Sequence, residues 1–381
     1  MTRRALKSIS ILSLIAILFT LGSIGVLGAE KTPEENRAVG YAFEGIGCSG
    51  ENYVAVHSDV GRVKARSDYK DLKLYVGGMP FGVKFLTEGV IVAGFNDSAM
   101  NAEKNPARIA GLQPNDMILS IDGMKMLGAA ELNEAVGNSG GRTMTVIYSR
   151  GGREYTARLT PTFSETEGRY SIGIYVRDSG AGIGTITFIV PESKAFAGLG
   201  HGICDSATGR LIPMQRGAVV GVKINGIVKG LSGAPGEVKG YFNSGKTGTL
   251  LGNTDCGVYG VFAELPKGLV GDPVSIVPRD SVKEGKAYIY SQLDGEGVEK
   301  YEVEIDDIQR HETGNKCFTV KITDKALVSK TGGIIQGMSG SPIIQNGKLV
   351  GAVTHVLIND PTTGYGIFIE NMLNQMGDLA G

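Results

Sequence analysis

The chain has 381 residues, with 38 Lys and Arg against 39 Asp and Glu and a formal net charge of −1. A balance this even excludes the basic face that a nucleic-acid-binding protein needs, so no nucleic-acid partner is expected. Glycine is abundant at 58 residues, without a collagen-like period, which points to many turns and short strands in roughly two or three domains.

Residues 1–29 begin with a basic segment, Arg3, Arg4 and Lys7, and continue as an uncharged apolar stretch from Ser8 to Ala29. This is the pattern of an export signal, and about 20 apolar residues also suffice for a helix across a bilayer core of about 30 Å. A signal anchor and a cleaved signal peptide both fit. The basic flank favours a cytoplasmic N-terminus with the bulk of the chain exported, membrane-anchored or released. Residues 30–74 are polar and weakly patterned, a connector with one or two short strands. The four cysteines, Cys48, Cys204, Cys256 and Cys317, stand singly without C-x-x-C spacing, so no metal site is expected. Outside the cytoplasm disulfides are permitted, and three full pairings are open.

From Leu72 short alternating runs are cut by glycines. "PFGV" (Pro80, Phe81, Gly82, Val83) is followed by "NPARIAGLQPNDMILSIDG", a helical "GAAELNEAVGN", and two strands around Gly151-Gly152. On these residues the block 75–163 resembles a PDZ domain. The resemblance implies that Pro80 to Val83 form a loop whose amides face a peptide C-terminus, from a substrate or from the chain itself, while the peptide adds as a strand to an open edge.

From about 170 to 381 the chain is dense in Val, Ile and Gly with recurring turn signals, the pattern of a β-barrel or sandwich. "IIQNGKLV" is its clearest hairpin, because Asn-Gly supplies the positive φ of a type I′ turn. "GYFNSGKT", Gly240 to Thr247, satisfies a phosphate-loop pattern but lacks the strand before and helix after that such a loop needs, so no nucleotide cofactor is expected.

The chemistry centres on "GMSGSP", Gly337 to Pro342. A serine hydroxyl needs a base to take its proton and donors for the oxyanion, and glycines on both sides let backbone N–H groups turn inward. Ser339 is the candidate nucleophile, with Gly337, Met338 and Ser339 as backbone oxyanion donors; the turn is similar to the "GDSGGP" of trypsin-like proteases. The four histidines are His57, His201, His311 and His355. His201, in the glycine-bracketed "FAGLGHGICD", is the first candidate base, and His355 in "AVTHVLIND" is its rival. Asp324, which ends an apolar strand pattern fifteen residues before Ser339, is one candidate orienting carboxylate; Asp205, Asp272 and Asp360 are others.

An N-terminal apolar segment, a PDZ-like block, "GLGH", and then "GMSGSP…NGK…GAVTHV…NDPTTGYGI" together resemble the SpoIVB peptidase family of sporulation serine peptidases; "GYFNSGKTGTLLGNTDCGVYG" departs from the expected, more polar pattern. The resemblance implies a triad of His201, Asp324 and Ser339, no cofactor, and action in the space between forespore and mother cell. It also implies a substrate, a membrane-bound inhibitor of an intramembrane metalloprotease, whose cleavage leads to late sigma-factor activation. The expected architecture is mainly β: a membrane helix or signal (1–29), a connector (30–74), an α+β PDZ domain (75–163) and a trypsin-like β-barrel or sandwich peptidase domain (170–381). Two other functions compete. One is an anchored, catalytically inactive PDZ adaptor. The other is an HtrA-like quality-control protease, disfavoured because the PDZ block comes first.

Overall fold

Apolar residues at alternate positions over long runs build this protein from strands. The computed structural model describes residues 71–97, 102–165, 168–205 and 209–377, with residue 69 and a short strand at Val39–Gly40. The expected membrane segment, nearly all of the connector, Cys48 and His57 lie outside these residues. No helix among the described residues is long and apolar enough to cross a membrane.

In chain order the main elements are β1 (Lys73–Val76), β2 (Pro80–Phe95), α1 (Pro106–Ile109), β3 (Met117–Ile121), α2 (Ala129–Gly137), β4 (Met144–Arg150) and β5 (Arg153–Leu159). Then come β6 (Ile174–Ile189), β7 (Ala195–Gly198), β8 (Met214–Val228), β9 (Glu237–Thr254), β10 (Gly257–Phe262) and β11 (Val270–Ser275). The last group is β12 (Gly285–Ser291), β13 (Glu299–Asp306), β14 (Phe318–Ile322), α3 (Lys325–Thr331), β15 (Pro342–Gln345), β16 (Lys348–Leu357), β17 (Asp360–Phe368) and α4 (Ile369–Met376).

The pairings form two rings. β6 pairs β7, β7 pairs β10, then β9, β8 and β2 follow, and β2 returns to β6. The second ring is a closed barrel in the order β12-β13-β14-β17-β16-β15. The first barrel is packed around Phe81, Phe85, Phe196 and Phe262, with Phe81 edge-on to Phe196 at 5.7 Å. The second is packed around Phe318, Phe368 and a shell of Ile and Val. Closure leaves the second barrel without an open edge, whereas the sheet of the first ends on β11 and β5.

The PDZ-like block interrupts the first barrel. The first half of β2, up to Thr87, pairs β6 and β8 of the barrel; its second half, at Val90 and Ile91, pairs β3 of the inserted block. β6 returns the chain, pairing Ile174 to Arg177 with the second half of β2 and Ser179 to Thr185 with the first. The strands of the first barrel therefore begin before the inserted block. The block has its own core of Val90, Leu112, Ile118, Leu132 and Val146, and a two-pronged Arg150–Asp116 ion pair with both contacts at 2.7 Å.

This arrangement corrects the expected peptide-carboxylate loop. Pro80, Phe81, Gly82 and Val83 are the start of β2, with Gly82 and Val83 paired on both sides. Phe81 and Val83 point into cores and the amides are spent on the sheet, so no loop is available there. The pattern of alternating apolar side chains outweighed the glycine. The phosphate-loop lookalike, Gly240 to Thr247, is likewise the middle of β9. The two predicted hairpins form as read: Asn346 and Gly347, and Gly151 and Gly152, all take positive φ.

Candidate active site

Ser339 lies in the turn before β15, where the second barrel meets the first. Gly337 and Gly340 both have positive φ, 99° and 94°, which the hard bend requires. Strand β6 of the first barrel clamps this turn by its carbonyls. The Thr185 hydroxyl donates to Gly337 O at 2.7 Å, the Thr185 amide to Ser339 O at 3.0 Å, and the Thr187 hydroxyl to Gly340 O at 2.8 Å. With the carbonyls held on one side, the amides of Gly337 and Ser339 make no hydrogen bond among the described residues. The Met338 amide donates to Ile335 O at 3.0 Å, so Met338 is not an oxyanion donor. The available pair is Gly337 and Ser339, alternate amides of the turn. Thr185 and Thr187 carried a sequence signal that the reading missed: polar residues at alternate positions of the apolar run "GTITFIV".

His201 follows β7 after two residues in the left-handed region, Leu199 and Gly200. It is 2% exposed. Its Nδ1 lies 2.9 Å from Gly202 O, and since a carbonyl only accepts, Nδ1 carries the proton. Nε2 then holds the lone pair, and it has no hydrogen-bond partner. Burial lowers the pKa of His201, so the ring is neutral and basic at Nε2.

The serine turn and the histidine segment meet directly. A Cβ on Gly340 would lie 2.4 Å from Leu199 N, and one on Gly200 would lie 2.9 Å from Thr354 Cγ2. Thr354 O accepts the Ser339 hydroxyl at 2.8 Å. In this structure the Ser339 hydroxyl is thus bonded to a carbonyl, and His201 Nε2 has no partner among the described residues. The ring of His355, the next residue on β16, packs on His201 with centroids 4.8 Å apart.

Asp324 is elsewhere. It is the N-cap of α3: one oxygen accepts from the amides of Ala326 and Leu327 at 2.9 and 3.0 Å, and the other from Glu302 N at 3.3 Å. The expected Asp324–His201 hydrogen bond is absent, and the physical reason is local, since an aspartate just before a short helix satisfies that helix's free amides. Asp205 pairs with Arg177, and Asp360 accepts from Thr362 and Thr363. His311 is exposed. Cys204 is disulfide-bonded, whereas Cys256 and Cys317 are free, buried thiols pushed up to about 12 and about 11 by burial. Among the described residues no cluster of three or more His, Cys, Asp or Glu could hold a metal ion.

Residues 168–373, more than half of the chain, match the model of the SpoIVB peptidase S55 family. The chain belongs to the SpoIVB peptidase family. Residues 77–160 match the PDZ domain model, a span that covers the first half of β2 in the first barrel as well as the block that interrupts it. A Mesorhizobium japonicum protein named for zinc metalloprotease activity is 33% identical over 87 residues, and the chain spans only 23% of that relative's length. Among solved structures, the PDZ domain of the SdrC-like protein Lmo2051 from Listeria monocytogenes is 26% identical over 23% of this chain and 87% of its own, with a TM-score of 0.20. The inactive form of the Rv3671c protease of M. tuberculosis is 15% identical over 52% of this chain and 85% of its own, with a TM-score of 0.31. Both scores lie far below 0.5, so neither likeness bears on the fold.

Proposed function

We propose that this protein is a serine endopeptidase that works outside the cytoplasmic membrane. Ser339 leaves the Thr354 carbonyl, donates its proton to His201 Nε2 and attacks the scissile carbonyl of a peptide. The amides of Gly337 and Ser339 take the oxyanion. His201 then gives the proton to the leaving amine, and water admitted in its place hydrolyses the acyl-enzyme by the same route in reverse. The observation that carries this reading is the seam. A serine on the second barrel and a neutral histidine with a bare Nε2 on the first are brought together, with two alternate amides left unbonded on the serine turn.

The finer role follows the family. The substrate is a membrane-associated regulatory protein, the inhibitor of an intramembrane metalloprotease, and its cleavage belongs to sporulation signalling that ends in late sigma-factor activation. The PDZ domain receives a peptide of that substrate or of the chain itself, at a site other than Pro80 to Val83. Residues 1–29 carry the chain across the membrane, and a disulfide at Cys204 suits that compartment.

The test is Ser339→Ala beside Ser341→Ala in the full chain, scored by cleavage of a candidate substrate and by fluorophosphonate labelling. Ser339→Ala is expected to lose activity by a factor on the order of 10³ or more. Ser341→Ala, which removes a buried hydroxyl without a partner, is expected to keep it. Full activity in Ser339→Ala overturns the assignment.

A further inference from the structure

The base of a serine peptidase needs a group that holds its ring and steadies the imidazolium formed during the reaction, and no carboxylate touches His201 among the described residues. We propose that His355 is the positioning residue of His201, a neutral imidazole standing where a carboxylate was expected. The proposal rests on Ser339 and His201 being nucleophile and base.

Three observations carry it. First, the two rings are in contact, 4.8 Å between centroids and 37° between planes. Secondly, His355 is 5% exposed and neither of its ring nitrogens has a hydrogen-bond partner. A buried polar group left unpaired costs about 1–3 kcal/mol, and a fold that bears that cost twice in one side chain calls for a reason. Thirdly, the backbone is shaped to aim this residue. Val353 pairs with Gly366, but Val356 pairs with Gly364, so three steps along β16 match two along β17. The extra residue bulges the strand at Thr354 and His355, the kind of distortion that re-aims side chains beside a site. Gly364 admits it: a Cβ there would lie 2.3 Å from His355 O. One bulge thus presents the carbonyl that holds the Ser339 hydroxyl and the ring that faces His201.

The chemistry is that of a neutral polar neighbour. When Ser339 passes its proton to His201 Nε2, the imidazolium is buried, and Gly202 O already takes its Nδ1–H. With Nδ1–H on Gly202 O and Nε2–H facing the leaving amine, no N–H is left for His355 to accept; it sets a neutral, polar ring beside that charge and a wall that keeps the His201 ring in place. The proton goes from Ser339 to His201 and on to the leaving amine; His355 never holds it. The titratable and charged groups facing His355 are His201 and Lys316, both of which oppose a positive charge on it, and burial acts in the same direction.

The experiment compares His355→Phe and His355→Gln in the full chain, with folding verified by circular dichroism and thermal melting. The readouts are the rate of fluorophosphonate labelling of Ser339 between about pH 5 and 9 and the titration of the His201 ring by NMR. His355→Phe keeps the wall and removes the polar ring. Labelling is expected to slow roughly 100-fold at unchanged reversible affinity, and the acid limb and the His201 titration move to lower pH. His355→Gln, whose side chain is still neutral and polar, recovers about tenfold of that loss. If Phe is not accommodated, His355→Leu tests the same loss. A folded His355→Phe or His355→Leu that labels within about threefold of wild type, with the His201 titration unmoved, overturns the proposal. If wild-type Ser339 takes no label, the catalytic reading falls by itself. The His201 titration then still decides the pairing, and an unmoved midpoint in His355→Phe overturns it.

Discussion

The two barrels are built on different plans. The second takes its six strands from one stretch, 285–368, with short connections. The first spreads its strands from β2 to β10, and the PDZ match at 77–160 starts with β2 in this barrel and runs on through the block between β2 and β6. The difference matters for the site. Ser339, Thr354 and His355 all belong to the contiguous barrel and lie within seventeen residues of one another, whereas His201 and the clamp residues Thr185 and Thr187 come from the interrupted one. A serine turn can be made locally, but its carbonyls are restrained by hydrogen bonds spanning more than 150 residues. The candidate site is therefore assembled only when the two barrels meet.

The largest effect should come from breaking that meeting. A Cβ at Gly340 would lie 2.1 Å from Thr185 O and 2.4 Å from Leu199 N, at a φ of 94°. Gly340→Ala is expected to cost more than about 4 kcal/mol and to abolish labelling of Ser339. Gly347→Ala in the same barrel also meets a positive φ, 76°, but nothing within 4 Å, so it should cost only about 1 kcal/mol. Urea midpoints of the two variants measure the contrast. Equal losses would mean that backbone strain, and not the seam, governs the first.

The second barrel also has a private lock. Arg279 Nε donates to Glu370 at 2.6 Å with both side chains buried, Nη2 donates to Asn371, and Nη1 donates to the carbonyls of Arg310 and Glu312 at 3.4 and 3.3 Å. Arg279→Met strands the Glu370 carboxylate and should cost about 3–5 kcal/mol. If the plans are as separate as the pairing suggests, limited proteolysis should find the PDZ core around Ile118 and Val146 unchanged in that variant.

Much of this was legible in residues that are close in sequence. The Asn346-Gly347 and Gly151-Gly152 hairpins, the helix around Leu132 and the serine turn are all set by a few neighbouring side chains and their φ angles. What was hidden depended on distant partners. Nothing in "PFGV" says that β6 and β8 will flank it, so a glycine between apolar residues read as a loop. Nothing in "KITDKALVSK" distinguishes a carboxylate aimed at a histidine from one that caps the next helix. His355 was visible as a rival to His201, but that the two stack was not, because the bulge that turns it is a property of pairing between β16 and β17.

The histidine pair makes the seam sensitive to acid. Burial lowers the pKa of His201, and burial with the charges of His201 and Lys316 brings His355 down to about 2. The unfolded chain, with histidines near 6.5, then binds more protons than the native state below that pH. Stability is therefore complete above about pH 6.5 and falls as the pH drops below it, by up to about 1.4 kcal/mol per pH unit for each ring. Urea midpoints between about pH 7 and 5 should show this slope, reduced by about half in His355→Gln. An unchanged slope would assign the acid sensitivity to other groups.

Asp324 gives the smallest effect and separates the two barrels most sharply. As a cap on α3 it serves only the second barrel: its oxygens accept from the Ala326, Leu327 and Glu302 amides, and neither bonds His201. Asparagine caps a helix about as well as aspartate, so Asp324→Asn should change stability by less than about 0.5 kcal/mol, whereas Asp324→Ala should cost about 1 kcal/mol. Both should retain Ser339 labelling within about threefold of wild type, for neither touches the seam. A carboxylate that orients the base behaves otherwise, since its amide presents the wrong tautomer and the rate falls by about 10⁴. A loss of that size in a well-folded Asp324→Asn would mean that α3 unwinds to deliver its cap to His201 during the reaction, and that the two barrels share more than the serine turn.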